Sequence, residues 1–167
     1  LDFIPVAAAT ARGIPVANLP GVNARTVAEY CIDDHSFIGE TLVTAGGTVV
    51  VTEDAALGDA DASLRLDNGG LAVAGAQMGT LDREISLEGT GGWLDIRDAA
   101  AAVTTEQDIT GTGALSKRGA GALIVAGDTT YTGETTVEGG ALIVNGSTAA
   151  SMLTTVNDGA RLGGGGG

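Results

Sequence analysis

Glycine pairs followed by short alternating apolar runs recur along residues 39–167 and constrain the fold more than any other feature. A pair stands before TVVV, LAVAG, WLDI and ALIVNG, and a looser copy, GAG, stands before ALIV. The last glycines of successive copies are Gly47, Gly70, Gly92, Gly121 and Gly140. Their intervals of roughly 20–30 residues are typical of solenoid repeats, and their unevenness indicates loops of different length on a regular core.

Within each copy the apolar side chains alternate with a period of two, which predicts β-strands with one buried face. The pairs that share a face are Val49 and Val51, Leu64 and Leu66, Leu71 and Val73, Ile85 and Leu87, Leu94 and Ile96, Leu123 and Val125, and Leu142 and Val144. Turns are predicted where Asn, Asp and Gly cluster, because these residues adopt left-handed backbone conformations. These clusters are residues 67–70, 88–92, 137–140 and 156–159.

A meander of hairpins would use the same residue types, but three features favour a parallel β-helix. The period is roughly 20–25 residues, whereas sandwich strands recur about every 8–12. Each unit holds several strand pieces, and Val, Leu and Ile recur at interior positions where they would stack. The sequence therefore predicts an all-β solenoid stub of about five rungs, each adding roughly 4.8 Å.

The composition changes abruptly near residues 34–39, which predicts two segments of different origin. Residues 1–38 contain all three prolines, the only Cys, the only His and two of the 28 glycines. Their pattern predicts a helix ended by Gly13, a short strand IPVAN, and a second helix, ARTVAEYCI, capped by Asn23. We therefore assign 1–38 as a short α/β remnant or linker and 39–167 as the β-helical repeats.

The stretch AAATARGIPVANLPGVNARTVAEY, within residues 1–32, resembles the D-isomer-specific 2-hydroxyacid dehydrogenases. Asn18, Pro20, Gly21 and Asn23 match a loop on the active-site side of that family. No glycine-rich dinucleotide fingerprint opens a helix downstream, and the family's catalytic Arg, Glu and His have no counterpart here. The resemblance therefore implies a remnant that is inactive alone, and the sequence predicts no cofactor-binding residue.

Residues 111–146, GTGALSKRGAGALIVAGDTTYTGETTVEGGALIVNG, resemble the autotransporter-associated β-strand repeat of bacterial type V secretion passengers. Segments 47–58, 64–75, 81–96 and 109–115 are similar to the same proteins. The resemblance implies a right-handed β-helix that is exported and carried to the cell surface through a C-terminal β-barrel translocator. Neither that barrel nor an export signal is recognised in this chain, which we interpret as a fragment.

The repeat supplies the structural residues that we predict, and none of them is assigned a catalytic role. The predicted repeat core comprises Leu115, Leu123, Val125, Val137, Leu142 and Val144. The predicted repeat turns comprise Gly119, Gly121, Gly127, Gly133, Gly139, Gly140 and Asn145. Tyr131 belongs to the repeat's own TYTG segment, and Trp93 is either a contact residue at an exposed face or a packing residue.

The segment KRGAGALIVAGDTTYTG, residues 117–133, is the one candidate for a phosphate-binding loop. A Walker loop carries its lysine after the glycines and is followed by a helix. Here Lys117 precedes the glycines and a strand-like ALIV follows. We therefore interpret the segment as a corner of the coil and expect Lys117 and Arg118 to be solvated turn charges.

Three further candidate sites have simpler explanations. Asp33, Asp34 and His35 are adjacent in sequence, and no second His or Cys cluster is available to complete a metal site. Cys31 has only His35 within reach and no orienting third group, so a nucleophilic dyad is not predicted. Asn145 opens a glycosylation sequon, NGS, but is better explained as a turn residue that is hydrogen-bonded along the stack.

Charge and composition limit the partners. Asp and Glu outnumber Lys and Arg 21 to 8, which disfavours nucleic acid and anionic membranes. No apolar run is long enough to span a membrane. We predict a non-catalytic passenger fragment, a stalk or adhesin module at the bacterial surface or secreted, with unknown host or surface ligands and end-to-end self-association. The alternatives are a truncated dehydrogenase and an artefactual fusion of the two.

Overall fold

The structure is a computed structural model that describes residues 30–31, 40–147 and 151–165. One 3₁₀ helix, Asp54–Leu57, accompanies fourteen strands in these ranges. The strands are β1 (Tyr30–Cys31), β2 (Thr41–Thr44), β3 (Thr48–Val51), β4 (Leu64–Val73), β5 (Thr80–Leu81), β6 (Ile85–Ile96), β7 (Ala102–Thr105), β8 (Ile109–Gly111), β9 (Ala114–Arg118), β10 (Ala122–Val125), β11 (Thr135–Val137), β12 (Ala141–Val144), β13 (Thr154–Val156) and β14 (Arg161–Gly163).

Every strand pair is parallel, because each strand pairs with the strand that follows it one coil later. The first sheet follows the order β1-β3-β4-β6-β9-β11-β13, with β2 paired to β4 and β8 paired to β6. The second sheet has the order β14-β12-β10-β7-β5. The chain thus winds through about five turns. The predicted all-β, parallel β-helical architecture is confirmed.

Strands β4 and β6 each turn a corner of the coil without a break. The first half of β4 pairs with β2 and its second half with β3, while β6 pairs in the same way with β8 and β9. A register shift between Asp67 and Gly69 marks the corner. The cross-section therefore has three strand-bearing faces: two belong to the first sheet and one to the second sheet.

The core consists of aliphatic columns that run along the coil axis. Parallel pairing in register places equivalent residues of successive coils directly above one another. One column contains Val49, Leu71, Leu94, Lys117, Val137 and Val156; a second contains Leu64, Ile85 and Ile109; a third contains Val103, Leu123, Leu142 and Leu162. A fully buried Leu or Ile contributes about 1.5–3 kcal/mol to folding, so the columns supply the main stabilising contribution.

Two of the predicted turns are wrong. Residues 67–70 and 88–92 lie inside β4 and β6, because their glycines let the strand bend at a bulge while hydrogen bonding continues. The predicted helix ending at residue 32 is also wrong at Tyr30–Cys31, which form β1 and pair with Val49 and Val50. The rest of the predicted remnant lies outside the described residues.

The longest interval between glycine copies, from Gly92 to Gly121, has a structural explanation. The counterpart of Gly92 one coil later is Leu115, so the segment beginning at Gly113 continues the first sheet. The segment after Gly121 belongs to the second sheet, where Ala122 pairs with equivalent alanines of the coils before and after it. Glycine followed by an aliphatic run therefore occurs on two faces of the coil. The interval from Gly92 to Gly121 joins a position on one face to a position on the other and is not one coil step.

Candidate functional site

The predicted repeat-core residues lie in the interior of the last coils. Leu115, Leu123, Val125, Val137 and Leu142 are buried, and Val144 is partly buried and packs against the core. The predicted turn glycines all lie between strands: Gly119, Gly121, Gly127, Gly133, Gly139 and Gly140. Asn145 is exposed, and its backbone N–H donates to the carbonyl of Val125 at 2.8 Å.

The expectation for Lys117 is wrong. Lys117 lies in β9, its side chain points into the aliphatic column, and none of its surface is exposed. Its Nζ donates to the carbonyls of Arg118, Gly119 and Gly139 at 2.6, 3.1 and 3.1 Å. The aliphatic stem fills the column, while the ammonium hydrogen-bonds to the corners of two successive coils. Burial lowers the pKa of Lys117 to about 8, and the charge of Asp95 opposes that shift.

A second buried cation, Arg83, holds the loop that follows β3. Its guanidinium pairs with the Asp54 carboxylate at 2.9 and 3.0 Å and donates to backbone carbonyls of the same loop. Those carbonyls belong to Asp54, Leu57, Asp59 and Ala62. The Arg83 side chain has no exposed surface, whereas that of Asp54 is 20% exposed. Sequence reasoning missed Arg83, because a single Arg in a loop carries no periodic signal.

Tyr131 anchors a polar network in the TYTG segment. Its hydroxyl hydrogen-bonds to Thr135 Oγ1 at 2.6 Å, and Thr135 Oγ1 hydrogen-bonds to Ser151 Oγ at 2.9 Å. Ser151 Oγ also donates to the carbonyl of Gly133 at 3.0 Å. Burial raises the pKa of Tyr131, and the hydrogen bonds to Thr135 and Ser151 oppose that shift. The network connects two successive coils and has a structural role.

The outer surface of the first sheet carries a shallow cleft of about 150 Å³, which we call the Trp93 cleft. Its lining comprises Asn68, Thr90, Gly91, Gly92, Trp93, Ala114, Ser116 and Arg118. The indole of Trp93 covers its register partner Gly70, where an added Cβ would overlap three atoms of the five-membered ring. The guanidinium of Arg118 lies over the ring, 4.5 Å from its centroid. Trp93 is therefore partly a packing residue and partly a wall of the cleft.

Arg118 is held in place by a carboxylate from the next coil. Its Nε donates to both Glu138 oxygens at 3.1 Å. The side chains of Arg118 and Glu138 are 39% and 37% exposed, so Arg118 is partly solvated as predicted but lies in a strand and not in a turn. The pair fixes the guanidinium over the indole.

Other candidate positions carry less information. Asp33, Asp34 and His35 lie outside the described residues, and so do Asn18, Pro20, Gly21 and Asn23; for Cys31 only the backbone pairing of β1 is described. Within residues 40–147 and 151–165 no group of three His, Cys, Asp or Glu side chains is placed to hold a metal ion. No helix in the described part of the chain is long and apolar enough to cross a membrane.

Comparison with protein families matches the D-isomer specific 2-hydroxyacid dehydrogenase catalytic domain over residues 1–158. By this match the chain belongs to that family. The match extends well beyond the N-terminal stretch that carries the sequence resemblance. Over residues 40–147 and 151–158, however, the chain is a parallel β-solenoid whose one described helix is the 3₁₀ turn Asp54–Leu57. Family membership therefore does not describe the fold of this part of the chain.

A second comparison agrees with the fold. The chain is similar to the protein named "Adhesin BmaC autotransporter" of Brucella suis biovar 1 (strain 1330), with 39% identity over 117 residues. The similarity covers 65% of this chain and 3% of that adhesin, so the chain corresponds to a small part of its relative. No solved structure matches the chain. The suspected double resemblance, to an autotransporter and to a dehydrogenase, is confirmed.

Proposed function

We propose that residues 39–167 are a non-catalytic β-solenoid module of an autotransporter passenger, which acts as a stalk or adhesin segment at the bacterial surface or after secretion. The observation that carries the proposal is the column of in-register residues from Val49 to Val156, in a chain that is 39% identical to an autotransporter adhesin over 117 residues. Stacked coils extend a chain along one axis and need no catalytic group. On this proposal the chain requires no cofactor, and its translocation partner is a C-terminal β-barrel.

Far-UV circular dichroism of the full chain tests the fold on which this proposal depends. We expect a β-dominated spectrum, with a single minimum at the wavelength typical of β-sheet. A dominant helical spectrum would contradict the solenoid and would favour the α/β fold of the dehydrogenase family.

The second candidate function is that of a truncated D-2-hydroxyacid dehydrogenase, which the family match over residues 1–158 favours. Titration of the full chain with a reduced nicotinamide cofactor, followed by energy transfer from Trp93, separates the two candidates. The passenger proposal predicts no saturable signal. Saturable binding at micromolar cofactor would favour the enzyme.

We also infer end-to-end association at the last described coil. Val156 and Leu162 continue interior columns, yet they are 41% and 48% exposed, and Leu153 nearby is 52% exposed. An uncovered rung presents both apolar surface and an unpaired strand edge. Light scattering is expected to show concentration-dependent oligomers, and Val156→Lys with Leu162→Lys should abolish them. A clean monomer at every concentration would contradict this inference.

A further inference from the structure

We propose that the Trp93 cleft binds one unit of a neutral saccharide. The proposal rests on the proposed function only in taking this surface as the outside of a solenoid.

The cleft brings together polar side-chain groups that have no hydrogen-bond partner among the described residues. The Asn68 amide, the Thr90 and Ser116 hydroxyls and the Trp93 indole N–H make no hydrogen bond to another described residue. Asn68 and Thr90 are exposed residues, and no side-chain nitrogen or oxygen that is buried in a less exposed described residue lacks a partner, so the unpaired groups of Trp93 and Ser116 reach solvent. Together they offer donors and acceptors around a single aromatic ring, which is the composition of a site for a small polyhydroxylated ligand.

Local backbone geometry fixes two of these groups. Asn68 occupies the corner of β4 with a φ of 52°, in the left-handed region, next to the register shift. Ser116 pairs in register with Trp93, so its hydroxyl lies on the outer face directly beside the indole. Ser116 lies in β9, which pairs with a strand on each side, and Asn68 lies at the corner between the two paired halves of β4. The arrangement is therefore preorganised, which reduces the entropy cost of binding.

Charge argues for a neutral ligand. Arg118 is the one cation that lines the cleft, and Glu138 already neutralises it. Asp95 is the register partner of Arg118, and Asp67 precedes Asn68. With a formal charge of −13 on the whole chain, the surrounding potential repels carboxylates, sulfates and phosphates. Hydroxyl groups avoid that repulsion and still hydrogen-bond to an amide, a guanidinium and a hydroxyl.

Size and shape agree with a single sugar ring. The volume of about 150 Å³ is smaller than the roughly 300–1,000 Å³ of typical pockets for drug-sized ligands. Because one indole face lies on Gly70 and Arg118 covers the ring, the ligand would meet the indole at its edge and N–H. A ring with apolar C–H groups on one side and hydroxyls around it complements that mixed surface.

Tryptophan fluorescence tests the proposal directly, because Trp93 is the only tryptophan of the chain. The full chain is titrated with the methyl glycosides of glucose, galactose, mannose and N-acetylglucosamine, with glucuronate and acetate as anionic probes. We expect a saturable change in emission for at least one neutral glycoside, with a dissociation constant in the millimolar range, about 1 mM or weaker. Glucuronate should bind at least fivefold more weakly than the neutral sugar.

Matched variants separate the cleft from the rest of the face. Asn68→Gly removes the amide and keeps a residue that tolerates the positive φ, and Ser116→Ala removes the hydroxyl; each is expected to weaken binding by at least fivefold. Thr136→Ala, at the next position of the same outward column but outside the cleft, should leave binding unchanged.

Three results would overturn the proposal: no saturable change with any neutral glycoside, equal binding by Asn68→Gly, Ser116→Ala and the unaltered chain, or tighter binding of the anions. Circular dichroism on the same samples shows whether the coil is folded. A folded coil without binding overturns the saccharide site alone, whereas loss of the β spectrum would contradict the proposed solenoid module. If Asn68→Gly unfolds the coil, Thr90→Ala, at an exposed position, replaces it as the test.

Discussion

The early coils, from β4 to β7, and the late coils, from β9 to β14, stack in the same way but contain different numbers of residues per coil. In the early coils, one step runs from Gly70 to Trp93 on the first sheet and from Thr80 to Thr104 on the second. The steps of the late coils are shorter: they run from Ala122 to Ala141 and from Ala141 to Arg161. The aliphatic columns continue through both regions, so the difference lies in the corners and loops.

Each region holds its loops with a buried polar side chain. In the early coils, the loop that precedes β4 is longer than the corners of the late coils. Arg83 binds the Asp54 carboxylate and backbone carbonyls of this loop. The late coils have short glycine corners, where Lys117 reaches the carbonyls of two successive corners. The comparison teaches that aliphatic stacking sets the repeat, whereas a few satisfied polar groups determine where the chain turns.

The largest expected effect is loss of the early loop anchor. Arg83→Met removes a fully buried cation and leaves Asp54 and several carbonyls without their donor. We expect the free energy of unfolding to fall by about 3–5 kcal/mol, measured by urea denaturation. Asp54→Asn in the same background should recover part of the loss, because it removes the uncompensated charge. A loss below about 1 kcal/mol would show that the loop does not depend on this pair.

Glycine corners in the two regions should be equally intolerant of a side chain. Gly91 and Gly140 have φ of 94° and 63°, and an added Cβ would overlap the carbonyls of Ala114 and Gly121 respectively. Gly91→Ala and Gly140→Ala are each expected to cost about 2–3 kcal/mol, from positive-φ strain plus overpacking. Gly75 has a similar φ of 79° with open space around it, so Gly75→Ala should cost only about 1 kcal/mol. Equal losses in thermal melts of all three variants would contradict the corner clash.

Because Lys117 is buried in the late coils, we expect the free energy of unfolding to depend on pH through this residue. Its pKa falls from 10.5 in the unfolded chain to about 8 in the folded chain, because burial disfavours the charged form. Between these values, the unfolded chain binds more protons, so the stability contribution of Lys117 rises with pH and is at its lowest below pH 8. Relative to Lys117→Met, the unaltered chain should gain on the order of 1–3 kcal/mol between pH 7.5 and 10.5. A difference that does not change with pH would contradict the buried ammonium.

The smallest expected effect is at the surface of the late coils. Arg118→Gln removes an ion pair with Glu138 in which both side chains are more than a third exposed. We expect a loss below about 1 kcal/mol, and this loss should shrink further in about 1 M salt because screening removes most of the attraction. A larger loss that persists at high salt would show that packing of Arg118 on Trp93 dominates over its charge.

The sequence predicted the parts of the fold that depend on periodicity. Alternation at Leu64, Leu66, Leu123 and Val125 is sufficient to place them inside, because a period of two leaves one buried face. The prediction was wrong at residues 67–70, where glycine lets a strand bend without ending. The residue types alone do not distinguish such a bend from a turn that ends the strand. The prediction was also wrong for Lys117, whose charge predicts exposure, since the three carbonyls that bind its ammonium meet only in the folded coil.

The candidate surface site was accessible to sequence reasoning only in part. Trp93 stood out as a rare aromatic that either packs or binds, and the structure shows it in contact with Gly70 and Arg118. Asn68 and Ser116 are each about one coil away from Trp93 along the chain, and only the register of β4, β6 and β9 brings them to one cleft. To predict such a cleft, the number of residues per coil must be known. The spacing of the glycine pairs gave that number incorrectly between Gly92 and Gly121.

The distance between Thr48 and Thr155 tests the central claim, parallel stacking over residues 40–163, most directly. These residues lie in one outward column with Gly70, Trp93, Ser116 and Thr136, five coil steps apart. Spin labels at Thr48→Cys and Thr155→Cys in a Cys31→Ser background can be measured by pulsed electron paramagnetic resonance. Stacking predicts one narrow peak within a few Å of roughly 24 Å, from five spacings of about 4.8 Å. A broad distribution, or a peak far from that distance, would contradict the solenoid.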